Sequence, residues 1–515
     1  MPPKKLAAAS KSSGRIAKRP AAANTEGQPR QKVRAKGLFP EKIFEEMLAI
    51  MSEKRRRDLK NALTRKPWSM SSACSGSGMA EVSWVFLHNT FAIPARVAFS
   101  CESVKWKQRF LTAVLHDKVS LVPGCMFGDL CTLRTGTTSC AAHGKECDVP
   151  KHSDLFICGF SCKDLSTKNS KLTPLQRKHI LADKSGSSGQ TFDGIITHIM
   201  QARPLCILLE NVDAILHPSA ADNLDYLWSS LSQVGYAGAS KVFKSSEYGL
   251  PQERSRVFFI VLDCAALGYT TADARTKAFE MLDYSEVFQV EPRPVTDFLL
   301  RPEDSKLSAE LQRRKDCVLG DKQSSWRETH KEFFKTKGIN YAHIKPGAEL
   351  LSNEWFNILP AREKEALCYG LFAKPLRDMA ESLCVVDVAP RIDRINCSYD
   401  YTLPTLTPTS KLWLNRCAKK DGKMNATPAR FFIGWEAMQA QGYPMHWLKN
   451  IDVTDCQMAD LAGNAFSSTI LFAIQASIVI NLDRSKVNRP EEDGLHMMES
   501  IIDRLGFMDD SDKDA

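Results

Sequence analysis

Short apolar runs of strand length alternate with longer amphipathic stretches between about residue 70 and residue 262. The runs at 95–101, 155–158, 205–209 and 257–262 predict buried strands. The stretches at 194–200 and 221–231 repeat their apolar side chains with helical spacing and predict helices. Because strands alternate with helices, the pattern predicts an α/β fold with a mostly parallel sheet and helices on both faces.

The pattern changes on either side of this region. Residues 41–63 place apolar side chains three and four positions apart, which predicts an N-terminal helix. Residues 285–400 are more polar and lose the alternation, so we predict a smaller second domain there. Residues 459–482 return to an apolar helical pattern. Their most apolar part, 470–482, is too short for a bilayer and is interrupted by Gln475 and Ser477, so we expect no membrane span.

The net charge of +9 is concentrated in residues 1–36, which hold ten Lys or Arg and one acid, while the remainder is neutral. Lys18 and Arg19, followed after ten residues by the basic cluster at 30–36, resemble a bipartite nuclear-import signal. This predicts a nuclear protein with an import receptor as partner; a basic tail that binds polyanions non-specifically is the alternative. Sixteen cysteines without an apolar leader predict reduced thiols rather than a disulfide framework.

A glycine-rich turn follows the first strand of the α/β region. The turn comprises Cys74, Ser75, Gly76, Ser77 and Gly78. Such a turn lets the backbone approach a ligand, and Glu102, at the next strand end, can accept hydrogen bonds from both hydroxyls of a ribose. Asp129 would then lie near an adenine amino group. Together these residues predict a nucleoside cofactor, although the turn alone is equally compatible with an ordinary loop.

Two reactive side chains follow predicted strands. Cys162 lies in a turn past the strand at 155–158, where open α/β sheets place their sites. A thiolate is a strong nucleophile toward carbon, and a positive neighbour such as Lys163 would lower the pKa of the Cys162 thiol. The alternative is a buried structural cysteine. Glu210 lies just past the strand predicted at 205–209. A carboxylic acid there can be partly desolvated, which raises its pKa and suits it to protonate a ring nitrogen. A helix N-cap is the alternative.

Arg254 and Arg256 project from the same side of the strand predicted at 257–262 and its approach, because side chains repeat with period two. They are placed to grip a base oxygen and a phosphate. Paired charges at an exposed edge are the alternative.

An insertion before the nucleophile strand contains Cys131, Cys140, His143 and Cys147. These side chains are zinc-compatible, but their spacing lacks a C-x2-C knuckle. We therefore expect free thiols in a loop and no metal, with these four residues as the zinc alternative.

The order of these blocks resembles the C5-cytosine DNA methyltransferase family from about residue 70 to residue 482. The turn at 74–78 is similar to the F-x-G-x-G loop, and 159–166 to the nucleophile loop G-x-P-C-Q-x-x-S. Residues 210–212 match E-N-V, and 248–256 match Y-G-L-P-Q-x-R-x-R. Blocks at 404–407, 436–444 and 463–465 resemble those that close the target-recognition region and return to the cofactor domain.

The resemblance implies a Rossmann-like, S-adenosylmethionine-dependent methyltransferase domain, a smaller target-recognition domain, and double-stranded DNA with a cytosine flipped out of the duplex. It implies that Cys162 attacks C6, Glu210 holds and protonates N3, and Arg256 binds O2. It assigns catalysis to Cys162, Glu210, Arg254 and Arg256. It assigns base contacts to Phe160, Ser161, Asn211 and Gln252. It assigns cofactor contacts to Cys74, Ser75, Gly76, Ser77, Gly78, Glu102, Ser103, Asp129, Leu130, Asn464 and Ala465.

With this resemblance the chain divides into six predicted segments. They are a disordered basic tail at 1–37, an N-terminal helix at 38–66, a cofactor-binding catalytic domain at 67–285, a target-recognition domain at 286–445, a returning part of the catalytic domain at 446–485, and an acidic tail at 486–515.

Two positions depart from the family pattern. Ser161 replaces proline before the cysteine, which should loosen the turn by about 0.5–1 kcal/mol through backbone entropy. Lys163 replaces glutamine and would alter docking of the loop on DNA. We expect residues 163–190 to be a basic mobile loop over DNA, with 185–189 as its hinge; an ordinary solvated loop is the alternative.

Two other functions fit the same blocks. A transfer RNA can present a flipped cytosine too, and the departures at Ser161 and Lys163 are compatible with an inactive nucleic-acid-binding regulator. The sequence leaves open the DNA context, the choice between maintenance and new methylation, and the oligomeric state.

Overall fold

The computed structural model describes residues 40–118, 124–166, 172–317, 326–340, 344, 346, 348–372, 381–398, 402–420, 423–425, 429–449, 451–485 and 487. The predicted basic tail and nearly all of the predicted acidic tail lie outside these residues.

The main sheet contains nine strands in the order β5-β4-β3-β2-β1-β6-β7-β9-β8. Its strands are β1 (Ser69–Ala73), β2 (Arg96–Cys101), β3 (Cys125–Phe127), β4 (Thr137–Cys140), β5 (Lys145–Asp148), β6 (Leu155–Gly159), β7 (Cys206–Val212), β8 (Tyr236–Lys244) and β9 (Ser255–Asp263). The five central strands, β3, β2, β1, β6 and β7 in spatial order, are parallel. The remaining strands pair antiparallel, with β4 and β5 at one edge and β9 and β8 at the other. All four strands predicted from apolar runs are present, and the α/β fold is confirmed.

The helices connect and cover this sheet. They are α1 (Glu41–Ala49), α2 (Glu53–Arg65), α3 (Met79–Asn89), α4 (Lys105–Lys118), α5 (Pro174–Arg177), α6 (Gly186–Ala202), α7 (Ala221–Gln233), α8 (Cys264–Leu267), α9 (Thr271–Tyr284), α10 (Ser305–Asp316), α11 (Trp326–Thr336), α12 (Ala348–Leu351), α13 (Glu354–Asn357), α14 (Ala361–Phe372), α15 (Gly434–Ala440), α16 (Asp455–Asn464) and α17 (Ser468–Asn481).

Residues 41–63 form two helices rather than the single one predicted. Ser52 adopts an extended backbone, and its hydroxyl accepts a hydrogen bond from the Arg55 N–H at 3.4 Å. A serine that caps a helix in this way starts a new one. The apolar spacing was still informative, because Ile43, Phe44 and Met47 are buried.

Alternate side chains of β7 enter two separate hydrophobic clusters, as expected for a sheet covered on both faces. Cys206 and Leu208 join the cluster that contains α3, α9 and α17, whereas Ile207 and Leu209 join the cluster that contains α6 and α7. Helix α17 is buried along almost its whole length, which explains why its sequence is apolar on all sides.

A second, antiparallel sheet lies within the predicted target-recognition segment. Its strands are β10 (Glu381–Asp387), β11 (Asn396–Ser398), β12 (Leu412–Lys420), β13 (Lys423–Asn425) and β14 (Arg430–Phe431). Trp413, Phe431 and Phe356 form part of a cluster of their own there. The boundaries 286–445 stay a prediction.

Among the described helices, none taken singly is long and apolar enough to cross a membrane. Within the part of the chain that the structure describes, the pair α16 and α17 taken together meets that length and composition, and the two helices are bent by 41° at the break between them.

Candidate active site

The carboxyl ends of five parallel strands meet at one edge of the main sheet and carry the predicted site residues. The cofactor candidates at 74–78, 102–103 and 129–130 follow β1, β2 and β3, and Cys162 follows β6. Glu210 was predicted to follow its strand but lies inside β7, two residues before its end, because the strand continues to Val212. Strands β2 and β3 lie on one side of β1, whereas β6 and β7 lie on the other. The crevice at such a change of direction is where open α/β sheets bind ligands. The topology therefore gives the site a cofactor half and a base half.

The glycine turn is held by the strand beside it. Ser75 donates its N–H to the carbonyl of Cys101 at 3.1 Å, and its hydroxyl accepts the Cys101 N–H at 3.2 Å. Gly76 and Gly78 have φ of +53° and +74°, a region that favours glycine. A Cβ built at Gly76 would have Cys74 O at 3.7 Å as its nearest atom, so this face of the turn is open to a ligand.

Glu102 links the turn to the end of β2. Its two carboxylate oxygens accept the N–H groups of Gly76 and Val104, both at 2.9 Å. A carboxylate offers about four acceptor positions, so acceptor capacity remains for two ribose hydroxyls. The open glycine turn and this carboxylate fit the nucleoside part of S-adenosylmethionine.

A buried carboxylic acid that the sequence reasoning missed supports the same turn. Glu81 on α3 accepts hydrogen bonds from the hydroxyls of Ser72 and Ser100, the latter at 2.5 Å, and Ser72 lies 2.6 Å from the Ser75 hydroxyl. Burial raises the pKa of Glu81, and the serine hydrogen bonds oppose that shift. The sequence signal that could have revealed Glu81 is a single acidic residue on a mostly apolar helix. A charge is rarely buried without partners, so an acid on a buried helix predicts hydrogen-bond donors around it.

The other cofactor candidates occupy different positions around this half. Asp129 caps the 3₁₀ helix Leu130–Thr135 and accepts the Cys131 N–H at 2.9 Å. Leu130 is buried, and Ser103 is exposed. Asn464 is exposed at the end of α16, where its amide donates to Asp460 at 3.0 Å.

Cys162 lies in a turn three residues beyond β6. Its carbonyl accepts the N–H groups of Leu165 at 3.2 Å and Ser166 at 2.9 Å, which closes the turn. Burial raises the pKa of its thiol, the carboxylate of Glu210 raises it further, and the guanidinium of Arg256 opposes both effects. The predicted nucleophile and acid therefore share one electrostatic environment.

Glu210 lies beside the start of this turn because β6 and β7 pair in parallel with Gly159 opposite Glu210. Its carboxylate is 3.1 Å from Nε of Arg256, and both side chains are largely buried. Burial raises the pKa of Glu210, and Arg256 opposes the shift. A Cβ at Gly159 would lie 2.7 Å from Phe466 Cζ and 3.3 Å from Glu210 Oε2, so a side chain there would displace the Phe466 ring.

Arg254 and Gln252 make different contacts from those predicted. The Arg254 guanidinium is 3% exposed and donates to the carbonyls of Leu406 and Ala465, both at 2.9 Å. Gln252 is fully buried and donates to Gln441 Oε1 at 2.8 Å. These groups hold separate parts of the chain together rather than facing a base or a phosphate, because flanking segments cover the approach to β9.

Phe160 and Asn211 are buried beneath the turn that carries Cys162 and anchor it to the core. The Phe160 ring is buried against Phe192, with ring centroids 5.5 Å apart, so it packs in the core rather than lining an open base pocket. Its carbonyl accepts the Asn211 side-chain amide at 3.1 Å. Asn211, predicted as a base contact, is fully buried and ties β7 to the turn.

Ser161 makes a hydrogen bond that the family's proline would not make. Its N–H donates to Thr191 Oγ1 at 3.2 Å, and its hydroxyl accepts the Lys163 N–H at 3.5 Å. Proline has no N–H to donate. The predicted loosening of the turn is therefore offset by local hydrogen bonds.

The prediction of a hinge at 185–189 is wrong. Ser185 is the N-cap of α6, and residues 186–189 form its first turn. This turn is held to the nucleophile turn, because Ser188 donates its N–H to the Asp164 carboxylate at 2.9 Å and its hydroxyl accepts the Asp164 N–H at 3.1 Å. A Cβ at Gly189 would lie 2.4 Å from Ile180 O, so this glycine serves close packing. Of the predicted loop cations, Lys184 pairs with Asp193 at 2.7 Å. Lys168 and Lys171, two basic residues of the loop predicted at 163–190 to contact DNA, lie outside the described residues.

The zinc alternative needs one correction. The structure gathers Cys140, His143 and Cys147 with Cys125, whereas Cys131 lies outside the group. Cys131 is instead the second residue of the 3₁₀ helix Leu130–Thr135, with its sulfur 4.0 Å from the Gln190 carbonyl. Sequence spacing missed Cys125 because β3 and β4 bring it near Cys140 only through antiparallel pairing.

Comparison with known families identifies the arrangement. A family model described as C-5 cytosine-specific DNA methylase matches residues 137–479, more than half of the chain. The chain belongs to this family. Membership implies S-adenosylmethionine as methyl donor, which agrees with the open glycine turn and the Glu102 carboxylate of the cofactor half.

Similar curated proteins carry related names. Two are named DNA (cytosine-5-)-methyltransferase DMT5: one from Cryptococcus neoformans, 23% identical over 72% of this chain, and one from Verticillium dahliae, 23% identical over 78%. The Bacillus subtilis type II methyltransferase M2.BsuMI is 35% identical over 21% of this chain and 26% of its own length. The chain spans only 15% and 18% of the lengths of the two fungal proteins.

Among solved structures, the methyltransferase EhMeth of Entamoeba histolytica is 11% identical, with a TM-score of 0.42 over 86% of this chain and 99% of that one. The Dnmt2 methyltransferase of S. pombe is 13% identical, with a TM-score of 0.40 over 80% of this chain and 98% of that one.

Proposed function

We propose that this methylase-family chain transfers a methyl group to C5 of a cytosine flipped out of double-stranded DNA, with Cys162 as nucleophile and Glu210 as acid. The observation that carries the proposal is the adjacency of a buried carboxylic acid, its arginine partner and a cysteine turn at the ends of β6 and β7. These groups supply the nucleophile, the proton and the positive charge that addition to a pyrimidine ring requires.

The chemistry divides between these side chains. Cys162, as thiolate, forms a bond to C6 of the base while Glu210 gives its proton to N3, so the charge of the thiolate does not remain on the ring. Arg256 neutralises Glu210 after that transfer, since the two side chains are 3.1 Å apart. Once C5 has gained the methyl group that the bound cofactor would supply, N3 returns its proton to Glu210. Loss of the C5 proton to a base and departure of Cys162 as thiolate then restore the aromatic ring.

The cofactor half is suited to hold S-adenosylmethionine, which supplies the methyl group when bound. Glu102 would accept the ribose hydroxyls, the backbone at Gly76 and Gly78 would approach the ligand closely, and Asp129 would accept from an adenine amine. Arg254, whose donors reach the carbonyls of Leu406 and Ala465, acts as a positioning residue.

The direct test is transfer of labelled methyl groups to duplex DNA by the wild type and by Cys162→Ala. We expect the substitution to lower the rate by at least about 10³-fold, because the nucleophile cannot be replaced by a methyl side chain. Cys317→Ala, at an exposed cysteine of α10's C-cap, is the matched control and should keep full activity.

A duplex that contains 5-fluorocytosine sharpens the result, because fluorine at C5 blocks the final elimination. The wild type should form a denaturation-resistant adduct, and Cys162→Ala should form none. Equal transfer by both proteins would remove Cys162 as nucleophile. A transfer RNA assayed in parallel should receive at least about tenfold less methyl, and the reverse ranking would contradict DNA as the substrate.

We also propose that the protein works in the nucleus and enters it through an import receptor. The two basic clusters, at 18–19 and 30–36, support this. A fluorescent fusion should lose nuclear accumulation when both clusters are replaced by alanine, and unchanged accumulation would contradict the proposal.

A further inference from the structure

Four metal-binding side chains meet at the β3–β4–β5 edge of the main sheet, away from the strand ends that carry the active site. Cys125 begins β3, Cys140 ends β4, and Cys147 lies on β5, while His143 occupies the turn between β4 and β5. The hairpin brings them together through the pairs Cys140–Lys145 and Thr138–Cys147, and through Phe127–Cys140 across to β3. Antiparallel pairing of consecutive strands therefore builds the cluster.

The distances are those of a tetrahedral metal site. Nδ1 of His143 lies 3.2 Å from Sγ of Cys147, 3.4 Å from Sγ of Cys140 and 3.7 Å from Sγ of Cys125. All four ligand atoms lie within 4.8 Å of one another. Tetrahedral zinc with bonds of about 2.3 Å to sulfur and 2.0–2.1 Å to nitrogen separates a sulfur from the nitrogen by about 3.6 Å and two sulfurs by about 3.8 Å. A single ion at the centre would thus reach all four.

A backbone contact favours a thiolate at Cys140. The Met126 N–H donates to Sγ of Cys140 at 3.4 Å, a contact that stabilises a negatively charged sulfur. Cys125 and Cys140 are buried, whereas His143 is exposed and leaves an entry path from solvent. Three thiolates and one imidazole complete a four-coordinate shell, which is the composition of structural zinc sites rather than of catalytic ones with an open position.

We propose that Cys125, Cys140, His143 and Cys147 bind one structural Zn²⁺ ion. The ion joins the β4–β5 hairpin to β3 and closes the segment between Cys125 and Cys140. Asp129 and the 3₁₀ helix Leu130–Thr135 lie within that segment, and a Cβ at Gly194 of α6 would lie 3.1 Å from Leu130. The ion thereby stabilises the segment that carries Asp129, at the side of the cofactor half. The free energy of metal binding adds to the free energy of folding of the segment that the ion closes.

The first measurement is the metal content of the purified full chain, expressed with zinc and passed through a gel-filtration column. We expect one zinc per chain. Cobalt substitution should give the thiolate charge-transfer absorption and intense visible bands of a tetrahedral site. His143→Ala and Cys147→Ser should lower zinc content at least fivefold, and His143→Cys should restore it, because a fourth thiolate also completes a tetrahedral shell.

Cys131→Ser is the matched control, since this exposed cysteine lies in the same segment but outside the cluster, and it should keep one zinc per chain. His143 is exposed, so His143→Ala tests metal binding without removing a core side chain; circular dichroism verifies that it folds. Three results would overturn the proposal: no stoichiometric zinc in the wild type, equal loss in Cys131→Ser, or an intact mass that reveals a disulfide among the three cysteines. None of these readouts depends on methyl transfer.

Discussion

The cofactor half and the base half of the site are built from different kinds of contact. The cofactor half joins neighbours on adjacent strands through hydrogen bonds that involve backbone groups, such as Ser75 to Cys101 and Gly76 to the Glu102 carboxylate. The base half depends on charge and on distant segments: Glu210 pairs with Arg256, and Arg254 reaches a carbonyl at Ala465.

The difference predicts how each half responds to perturbation. Backbone hydrogen bonds tolerate a change of pH, whereas a buried acid beside a cysteine and two arginines does not. We therefore expect the base half to control the rate and its pH dependence, and the cofactor half to control affinity. Each of the following substitutions tests that division.

Glu210→Gln should produce the largest of these effects, a fall in methyl transfer of about 10²–10⁴-fold, because glutamine keeps the shape but has no proton to give. Burial raises the pKa of Glu210, so in the wild type Glu210 keeps its proton at pH values above the usual range of a carboxylic acid. Activity should fall as the pH rises through that pKa, because the proton donor is lost. The variant should lack this descending limb.

The ascending limb, which follows ionisation of the Cys162 thiol, should remain in the variant. Single-turnover rates across pH measure both limbs. Glu253→Gln, at an exposed neighbouring acid, should leave the profile unchanged. A descending limb that survives in Glu210→Gln would assign the proton to another group.

Arg254→Met should lower the free energy of unfolding by about 2–4 kcal/mol, because it leaves the buried carbonyls of Leu406 and Ala465 without their donor. Chemical denaturation measures the change, and Arg275→Met on exposed α9 surface is the control. Unchanged stability combined with lost methyl transfer would instead make Arg254 a direct base contact.

Glu102→Gln should raise KM for S-adenosylmethionine by about 10-fold with little change in kcat, since it removes charge-assisted hydrogen bonds to the ribose. Initial rates at varied cofactor concentration provide the measurement, with Glu291→Gln at an exposed site as control. An effect on kcat alone would contradict the division between the two halves.

Thr191→Val should have the smallest effect, about 1 kcal/mol of stability, because it removes the acceptor of the Ser161 N–H. In a Ser161→Pro background the same change should cost less, since proline has no N–H to lose. Unfolding free energies of the four proteins measure the coupling. If the effects of the two substitutions on the free energy of unfolding are strictly additive, the hydrogen bond from the Ser161 N–H to Thr191 does not stabilise the turn.

Local patterns were sufficient to predict the strands and helices that carry the site. The apolar run at 257–262 lies within β9, and 221–231 lies within α7, because burial on both faces and helical spacing leave clear periodic signals. Glycine positions were partly misread. Gly189 looked like a hinge, but its lack of a side chain allows contact with Ile180, a neighbour that spacing does not reveal.

The sequence by itself determined the alternating fold, the glycine turn, and the positions of Cys162 and Glu210 at strand ends, since each depends on residues close together in the chain. Only the tertiary structure decided that Arg254 serves backbone carbonyls, that Phe466 lies against Gly159, and that Cys125 joins the metal-binding cluster. Those contacts arise when distant segments pack, and linear spacing carries no record of which surfaces will meet.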